Sequence, residues 1–387
     1  LTHRRRERQR ERERETDREL KNFIGGEIMN ISESYPPAFR CVNNDGDLHQ
    51  ATAKVEPVIV QDKDIDVPVI DLERLDKEIL ADACREWGIF RLENHGLPVE
   101  LMSRLQEISE SLLSLSFDNK RELFAAVKSP LSYFWGTPAL NRSGDALKRG
   151  TQASNVTMVE GFNVPLSSLS RLPASTSCDD DNAQHSKLES FRVLMEEYGM
   201  HITRIAVSLF EAIAQTLNLE LSGYQRAEYL SESTGLIRVY RYPRSSGEAA
   251  GEALGMEVHT DSSVISILKE DETGGLEIMK NKEWFRVKPV ANTLIVNLGD
   301  MMQVISDDEY KSVEHRVKKK DMKKERHSVC YFVFPQRDCV IKSSNYKPFT
   351  YSEFEAQVMA DVQSLGTKIG LPRFTQNLRS LSDHVSV

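Results

Sequence analysis

Two histidines and an aspartate carry the first chemical signal in the chain, His259-Thr260-Asp261 and, much later, His315. Side chains two residues apart on an extended segment point the same way, so His259 and Asp261 can share one metal from one strand face. Around His315 the run Lys311-Ser312-Val313-Glu314-His315-Arg316-Val317 puts Val313, His315 and Val317 on an inward face, with charged neighbours outward. Two imidazoles and one carboxylate on a β scaffold make a three-ligand face that leaves positions open. Such a set suits non-haem Fe(II) that must also bind a cosubstrate and dioxygen. An H-x-D by itself is a short motif that chance supplies, so its company matters.

That company is Arg326-His327-Ser328. Alternation along an extended run places Arg326 and Ser328 on one face. A guanidinium clamps a carboxylate with two parallel hydrogen bonds, and a nearby serine hydroxyl adds a third donor. A dicarboxylate can then reach the metal at one end and this pair at the other.

The order H-x-D, H, R-x-S resembles the plant 2-oxoglutarate- and Fe(II)-dependent dioxygenases. The resemblance implies that His259, Asp261 and His315 hold Fe(II), and that Arg326 and Ser328 hold the distal carboxylate of 2-oxoglutarate. Gly235 to Pro243 resembles the family's N-x-Y-P strand, and Tyr242 at its tyrosine position implies a further cosubstrate contact. Tyr240 stands where many members carry asparagine, a departure expected to weaken one cosubstrate contact without abolishing the clamp. The implied reaction consumes dioxygen, converts 2-oxoglutarate to succinate and carbon dioxide, and oxidises a C–H bond of a small-molecule substrate. Ascorbate is the expected reductant.

Three stretches, Val159-Glu160-Gly161-Phe162-Asn163-Val164-Pro165-Leu166, Lys311 to Val317 and Gly370-Leu371-Pro372-Arg373-Phe374, resemble the gibberellin oxidases, in particular 2-oxidases acting on C20 precursors. The implied outcome is hydroxylation at C-2 and inactivation of the hormone. Met158 stands where that group carries tryptophan, close to the substrate. Two other readings stay open: a hydroxylase or desaturase of another hormone or specialised metabolite, and a cupin-like protein that binds metal without oxygen chemistry. A zinc hydrolase lacks its H-E-x-x-H signature.

The elements that must position these residues are legible in outline. From Leu236 onward, short strands recur between turn signals such as Thr273-Gly274-Gly275 and Lys280-Asn281-Lys282. That rhythm predicts a sandwich or barrel and, with a metal inside, a jelly roll. With the family resemblance, the expected fold is α+β, mainly β, with a double-stranded β-helix (jelly-roll) core and flanking helices. Strands are expected at 264–268, 276–279, 284–288, 293–297, 311–317 and 328–334. Upstream, Val67 to Asp71 and Gly88 to Gly96 read as strands, with helices over 75–87 and 98–117. A long helix over 186–217 carries Phe191, Leu194, Met195, Tyr198, Ile202, Ile205, Leu209 and Ile213 at helical spacing, a core stripe. A last helix spans 351–368. His95, in a turn, and Asp300, after Gly299, are expected to be structural and not metal ligands.

The 387 residues suffice for one large or two ordinary domains. We expect a charged leader over 1–64, an α/β region over 65–230, the iron and 2-oxoglutarate core over 231–345, and a helix and tail over 346–387. Residues 2–20 are almost wholly Arg and Glu without a sustained apolar face, which predicts a solvated tail. Met29, just beyond it, is read as the natural start. A net charge of -9 argues against a general nucleic-acid binder, because phosphate contacts need clustered positive charge. Five cysteines without a C-x-x-C pair fit reduced thiols, and no apolar run reaches membrane-spanning length. The expectation is a cytoplasmic monomer with neither nucleic-acid nor membrane partners.

Overall fold

Alternating inward and outward side chains, read on short segments between tight turns, become two facing sheets in the computed structural model. It describes residues 31–40, 63–126, 131–136, 157–169, 183–230, 234–244, 253–319 and 324–376. The Arg/Glu tail, Met29, Cys41, Cys178, the acidic stretch 175–182, the glycine- and alanine-rich 245–252 and the loop tip 320–323 lie outside these residues.

The strands are β1 (Asp64–Ile65), β2 (Val69–Asp71), β3 (Ile89–Glu93), β4 (Ser132–Trp135), β5 (Glu160–Pro165), β6 (Leu236–Tyr242) and β7 (Ala253–His259). They continue with β8 (Ile265–Glu270), β9 (Leu276–Lys280), β10 (Glu283–Val287), β11 (Leu294–Leu298), β12 (His315–Lys319) and β13 (Arg326–Val333). One sheet has the order β1-β10-β9-β12-β7, the other β2-β3-β11-β8-β13-β6-β5-β4. The larger sheet thus draws strands from both the 65–230 and the 231–345 regions. Inner-face residues of the two sheets, including Leu276, Ile278 and Val317 from one and Tyr240, Leu268, Ile295 and Cys330 from the other, form a single apolar cluster. This is the jelly roll expected of such strands around a metal.

Helices cover the outer face of the larger sheet. The main ones are α1 (Lys77–Glu86), α2 (Val99–Leu113), α3 (Phe117–Ala126), α4 (Ala183–Thr216) and α5 (Asp300–Ile305), whereas a last helix, α6 (Tyr351–Leu365), borders the cavity on the inner side. Every residue of the expected stripe on α4, from Phe191 to Ile213, is buried in the main core. The helix expected over 98–117 instead ends at Leu113, and α3 starts anew at Phe117, where the Ser116 hydroxyl accepts the Asn119 N–H at 3.2 Å. Serine competing for backbone donors is the physical reason for the break. Likewise α6 stops at Leu365 because Gly366 takes the left-handed conformation (φ 77°) that closes a helix.

Two departures bear on the site. The strand expected over 311–317 begins only at His315, because the Ser312 N–H is taken by the Gln303 side chain at 2.9 Å and Lys311 packs its carbonyl against Gly88. A Cβ at Gly88 would lie 2.2 Å from that carbonyl oxygen, so only glycine fits. Second, part of the expected leader is built into the fold. Ile31–Ser34 form a helical turn, and Tyr35 and Phe39 are buried.

Candidate active site

Register places the chemistry. His259 closes β7 and His315 opens β12, and the two face each other as direct partners across the ladder. Their rings lie 4.3 Å apart. Asp261 follows β7 immediately, with Oδ1 3.8 Å from His259 Nε2 and 3.7 Å from His315 Nε2. One donor atom from each of the three lies within 4.8 Å of the others. Among the described residues this is the one such His/Cys/Asp/Glu group.

The surroundings aim these donors. His259 Nδ1 faces the Glu257 carbonyl at 2.8 Å and His315 Nδ1 faces the Val313 carbonyl at 3.1 Å. A ring N–H donated to a carbonyl leaves Nε2 as the free lone pair, the tautomer a metal needs. Asp261 Oδ2 accepts the Ser266 hydroxyl at 2.5 Å, and the Asn297 amide donates to Ser266 Oγ at 3.4 Å. Burial, with His315 beside it, pushes His259 down to about 4, so its imidazole is neutral. Burial would raise the Asp261 carboxyl, but the two imidazoles and the Ser266 hydroxyl outweigh it and hold the group below the ordinary carboxylate range. A neutral imidazole at His259 and an ionised carboxylate at Asp261 are protonation states that a metal requires. The donor set fits a divalent ion with three positions left open.

Deeper between the sheets, Arg326 on β13 pairs in register with Tyr242 on β6, and Ser328 pairs with Tyr240. Arg326 is fully buried. Its Nη1 donates to Ser328 Oγ at 3.0 Å, its Nε to the Gly274 carbonyl, and its Nη2 to Glu270 Oε2 at 3.1 Å. The guanidinium carbon stands 4.8 Å from the Tyr242 ring centroid. Burial pushes the Tyr242 hydroxyl up to about 12, against the opposing pull of Arg326 and of its bonds to Ser328 and Arg326. Gly255 makes room for that ring, since a Cβ there would meet Tyr242 Cδ1 at 2.6 Å. Tyr240 stacks on Tyr242 with centroids 6.2 Å apart and shares the cavity wall with it.

All six residues singled out in the sequence, His259, Asp261, His315, Arg326, Ser328 and Tyr242, line one cavity of about 660 Å³. Its far wall is apolar, with Leu236, Phe332 and Phe334 from the larger sheet opposite Val358, Met359 and Val362 of α6. Arg238 also reaches this wall, held by the Asn163 amide oxygen at 2.9 Å, and forms no ion pair among the described residues. His95 lies apart from the cluster, accepting the Leu97 N–H and facing the Asn292 carbonyl, as a turn histidine should. Asp300 opens α5, donates its N–H to the Asp261 carbonyl and pairs with Lys368 at 2.6 Å. The segment beside β5 faces the cavity less than its sequence implies. Thr157 and Pro165 line it, whereas Glu160 is turned into a buried network with Lys120, Tyr133 and Arg241.

Sequence reasoning passed over Ser266, Asn297 and Glu270. A signal existed for the first two, each a lone polar residue inside an apolar strand, Val264-Ile265-Ser266-Ile267-Leu268 and Leu294-Ile295-Val296-Asn297-Leu298. For Glu270 the signal was alternation, which carries the inward face of β8 from Ser266 through Leu268 to Glu270.

Comparison with known proteins agrees with this geometry. The 2OG-Fe(II) oxygenase superfamily matches residues 228–335, and the N-terminal region of the non-haem dioxygenases in morphine synthesis matches residues 67–185. The chain is 33% identical over 332 residues to gibberellin 2-beta-dioxygenase 8 of Arabidopsis thaliana, covering 82% of this chain and 89% of that one. It is 34% identical over 328 residues to gibberellin 2-beta-dioxygenase 6 of Oryza sativa subsp. japonica, covering 80% and 85%. Jasmonate-induced oxygenase 1 of Arabidopsis thaliana also matches, at 30% identity over 75% of this chain and 72% of that one. Among solved structures, JOX2 in complex with 2OG, Fe and JA superimposes with a TM-score of 0.58 at 25% identity, covering 76% of this chain and 85% of that one.

The chain belongs to the 2OG-Fe(II) oxygenase superfamily. It is an oxidoreductase, a dioxygenase whose cofactors are Fe(II) and 2-oxoglutarate. Among the described residues no helix is long and apolar enough to cross a membrane.

Proposed function

We propose that this dioxygenase hydroxylates a gibberellin, at C-2, and so inactivates the hormone. The observation that carries the reading is its similarity to two gibberellin 2-beta-dioxygenases along at least 80% of its length. The cavity supports it. A volume of about 660 Å³ is in the range for a ligand of several fused rings, and its far wall is apolar. Arg238, placed by the neutral Asn163 and without an ion-pair partner among the described residues, suits a substrate that carries a carboxylate.

In this reading His259, Asp261 and His315 hold Fe(II), which when bound supplies the oxidative chemistry on 2-oxoglutarate and dioxygen. The protein's own part is orientation and exclusion of water. Ser266 and the two backbone carbonyls fix the ligand geometry. Arg326, Ser328 and Tyr242 take the distal carboxylate of 2-oxoglutarate, and Arg326 stays charged throughout because burial is opposed by Tyr242, Glu270 and Asp271. The apolar wall and α6 hold the substrate against the open side of the metal. Relatives such as jasmonate-induced oxygenase 1 favour a second reading, the same reaction on another hormone. Incubation with a panel of gibberellins, C20 forms included, in the presence of Fe(II), 2-oxoglutarate and ascorbate separates the two. A 2-hydroxylated gibberellin by mass spectrometry is expected, and no product from any member of the panel would overturn the substrate.

A further inference from the structure

The inner face of β8 brings a carboxylate to a place where the site has to bind a carboxylate. Glu270 is the direct register partner of Ser328, and its Oε2 lies 3.1 Å from Arg326 Nη2. Both side chains are almost fully shielded from water, at 6% and 1% exposure. The remaining Glu270 oxygen, Oε1, is buried without a hydrogen-bond partner among the described residues. Glu270 and the Gly274 carbonyl occupy the Nε and Nη2 side of the guanidinium and leave the edge beside Ser328 and Tyr242.

We propose that Glu270 is a positioning residue that holds Arg326 and attenuates its affinity for the distal carboxylate of 2-oxoglutarate. The inference rests on the assignment of Arg326 and Ser328 to that carboxylate. In a site shielded from solvent, a resident anion at contact distance offsets the arginine charge and repels an incoming anion, and both effects weaken binding. The residue thus sets how much free 2-oxoglutarate the enzyme needs. Removing a carboxylate that serves only as scaffold would leave affinity unchanged or weaken it, whereas removing an attenuating carboxylate strengthens it.

The test compares equilibrium binding of 2-oxoglutarate with that of 2-oxopentanoate, which has the same 2-oxo acid end and a methyl group in place of the distal carboxylate. Calorimetry on anaerobic Fe(II)-loaded protein reads both. Glu270→Gln keeps the shape and an acceptor but removes the charge, and it should raise the affinity ratio about tenfold, with 2-oxopentanoate binding unchanged. An unchanged or lower ratio in a folded variant overturns the role of Glu270. Equal binding of the two acids by the unmodified protein overturns instead the assignment of Arg326 and Ser328. Should the variant not fold, the unmodified protein carries the test through pH. Burial pushes the Glu270 carboxyl up, and the charged groups facing it are Arg326, Asp271 and Arg91. The ratio should rise as pH falls within the range above the ordinary carboxylate values, where Glu270 takes up its proton while the distal carboxylate of the ligand is still ionised, and a flat ratio there counts against the proposal.

Discussion

At the scale of single residues, the site is a set of donors whose protonation and direction are fixed by neighbours. His315 is 7% exposed and has its Nδ1 engaged by a backbone carbonyl, so its remaining nitrogen is committed to the metal side. His315→Ala should abolish Fe(II)-dependent turnover while circular dichroism and the melting temperature change little; a variant that keeps full activity removes His315 from the ligand set. Arg326→Ala removes a buried cation that makes charge-assisted hydrogen bonds, each worth roughly 1.5–3 kcal/mol. The KM for 2-oxoglutarate should rise about tenfold or more with Fe(II) affinity retained, and an equal loss of iron binding would contradict the assignment. These residues were legible in the sequence because their chemistry is rare and their spacing is fixed by strands. Ser266 and Asn297 were not read, since a serine or asparagine in a strand is common and only the folded register shows which carboxylate it meets.

At the scale of elements, the ladder does the placing. A one-residue slip of β12 against β7 would turn His315 to the outer face, so the partnership of His315 with His259 ties register directly to chemistry. The alternation around His315 correctly identified the inward side, but the strand start was misplaced. What delays the strand is the Gln303 side chain, nine residues before Ser312 and outside the alternation of the strand itself. The C-terminal helix α6 supplies one cavity wall and is anchored by Phe354, which is fully buried against Phe349 and Phe374 with centroids 5.8 and 5.4 Å away. Its start is set by a capping box between Thr350 and Glu353. Phe354→Ala should cost about 3–5 kcal/mol in chemical denaturation through the cavity it leaves. A loss well below that range would mean that α6 is only loosely docked. Because Val358, Met359 and Val362 face the substrate space, the same variant should raise the substrate KM more than that of 2-oxoglutarate.

At the scale of the whole molecule, charge that the sequence left scattered is gathered behind the larger sheet. Glu160 meets Lys120 and Arg241 with all three side chains buried, and Tyr35 bonds to Glu325, which also meets His327 at 3.1 Å. Nothing in the local pattern forecast this, because partners come from residues as distant as Ser34 and Arg241. Burial alone would raise Glu325, but bonds from His327 and Tyr35 and the charge of Arg241 bring it down to about 2. A carboxyl lowered by folding stabilises the fold above its unfolded pKa of 4.5 and loses that contribution as pH falls towards about 2. Glu325→Gln should therefore flatten the acid limb of the stability curve between these values, and an unchanged limb would assign acid unfolding to other groups. A sandwich or barrel was legible from strand rhythm, and the jelly roll from that rhythm with a metal set inside it, whereas the substrate wall was not, since it is assembled from β6, β13 and α6, which meet only in three dimensions.

The proposed gibberellin substrate would share one cavity with the iron and 2-oxoglutarate centre, and one measurement tests that proposal: succinate and oxidised gibberellin quantified in the same anaerobically prepared, oxygen-started reaction. One succinate is expected for each gibberellin that gains an oxygen atom at C-2, and neither product with His315→Ala. Succinate released at the same rate with and without gibberellin, and no oxidised gibberellin, would contradict it.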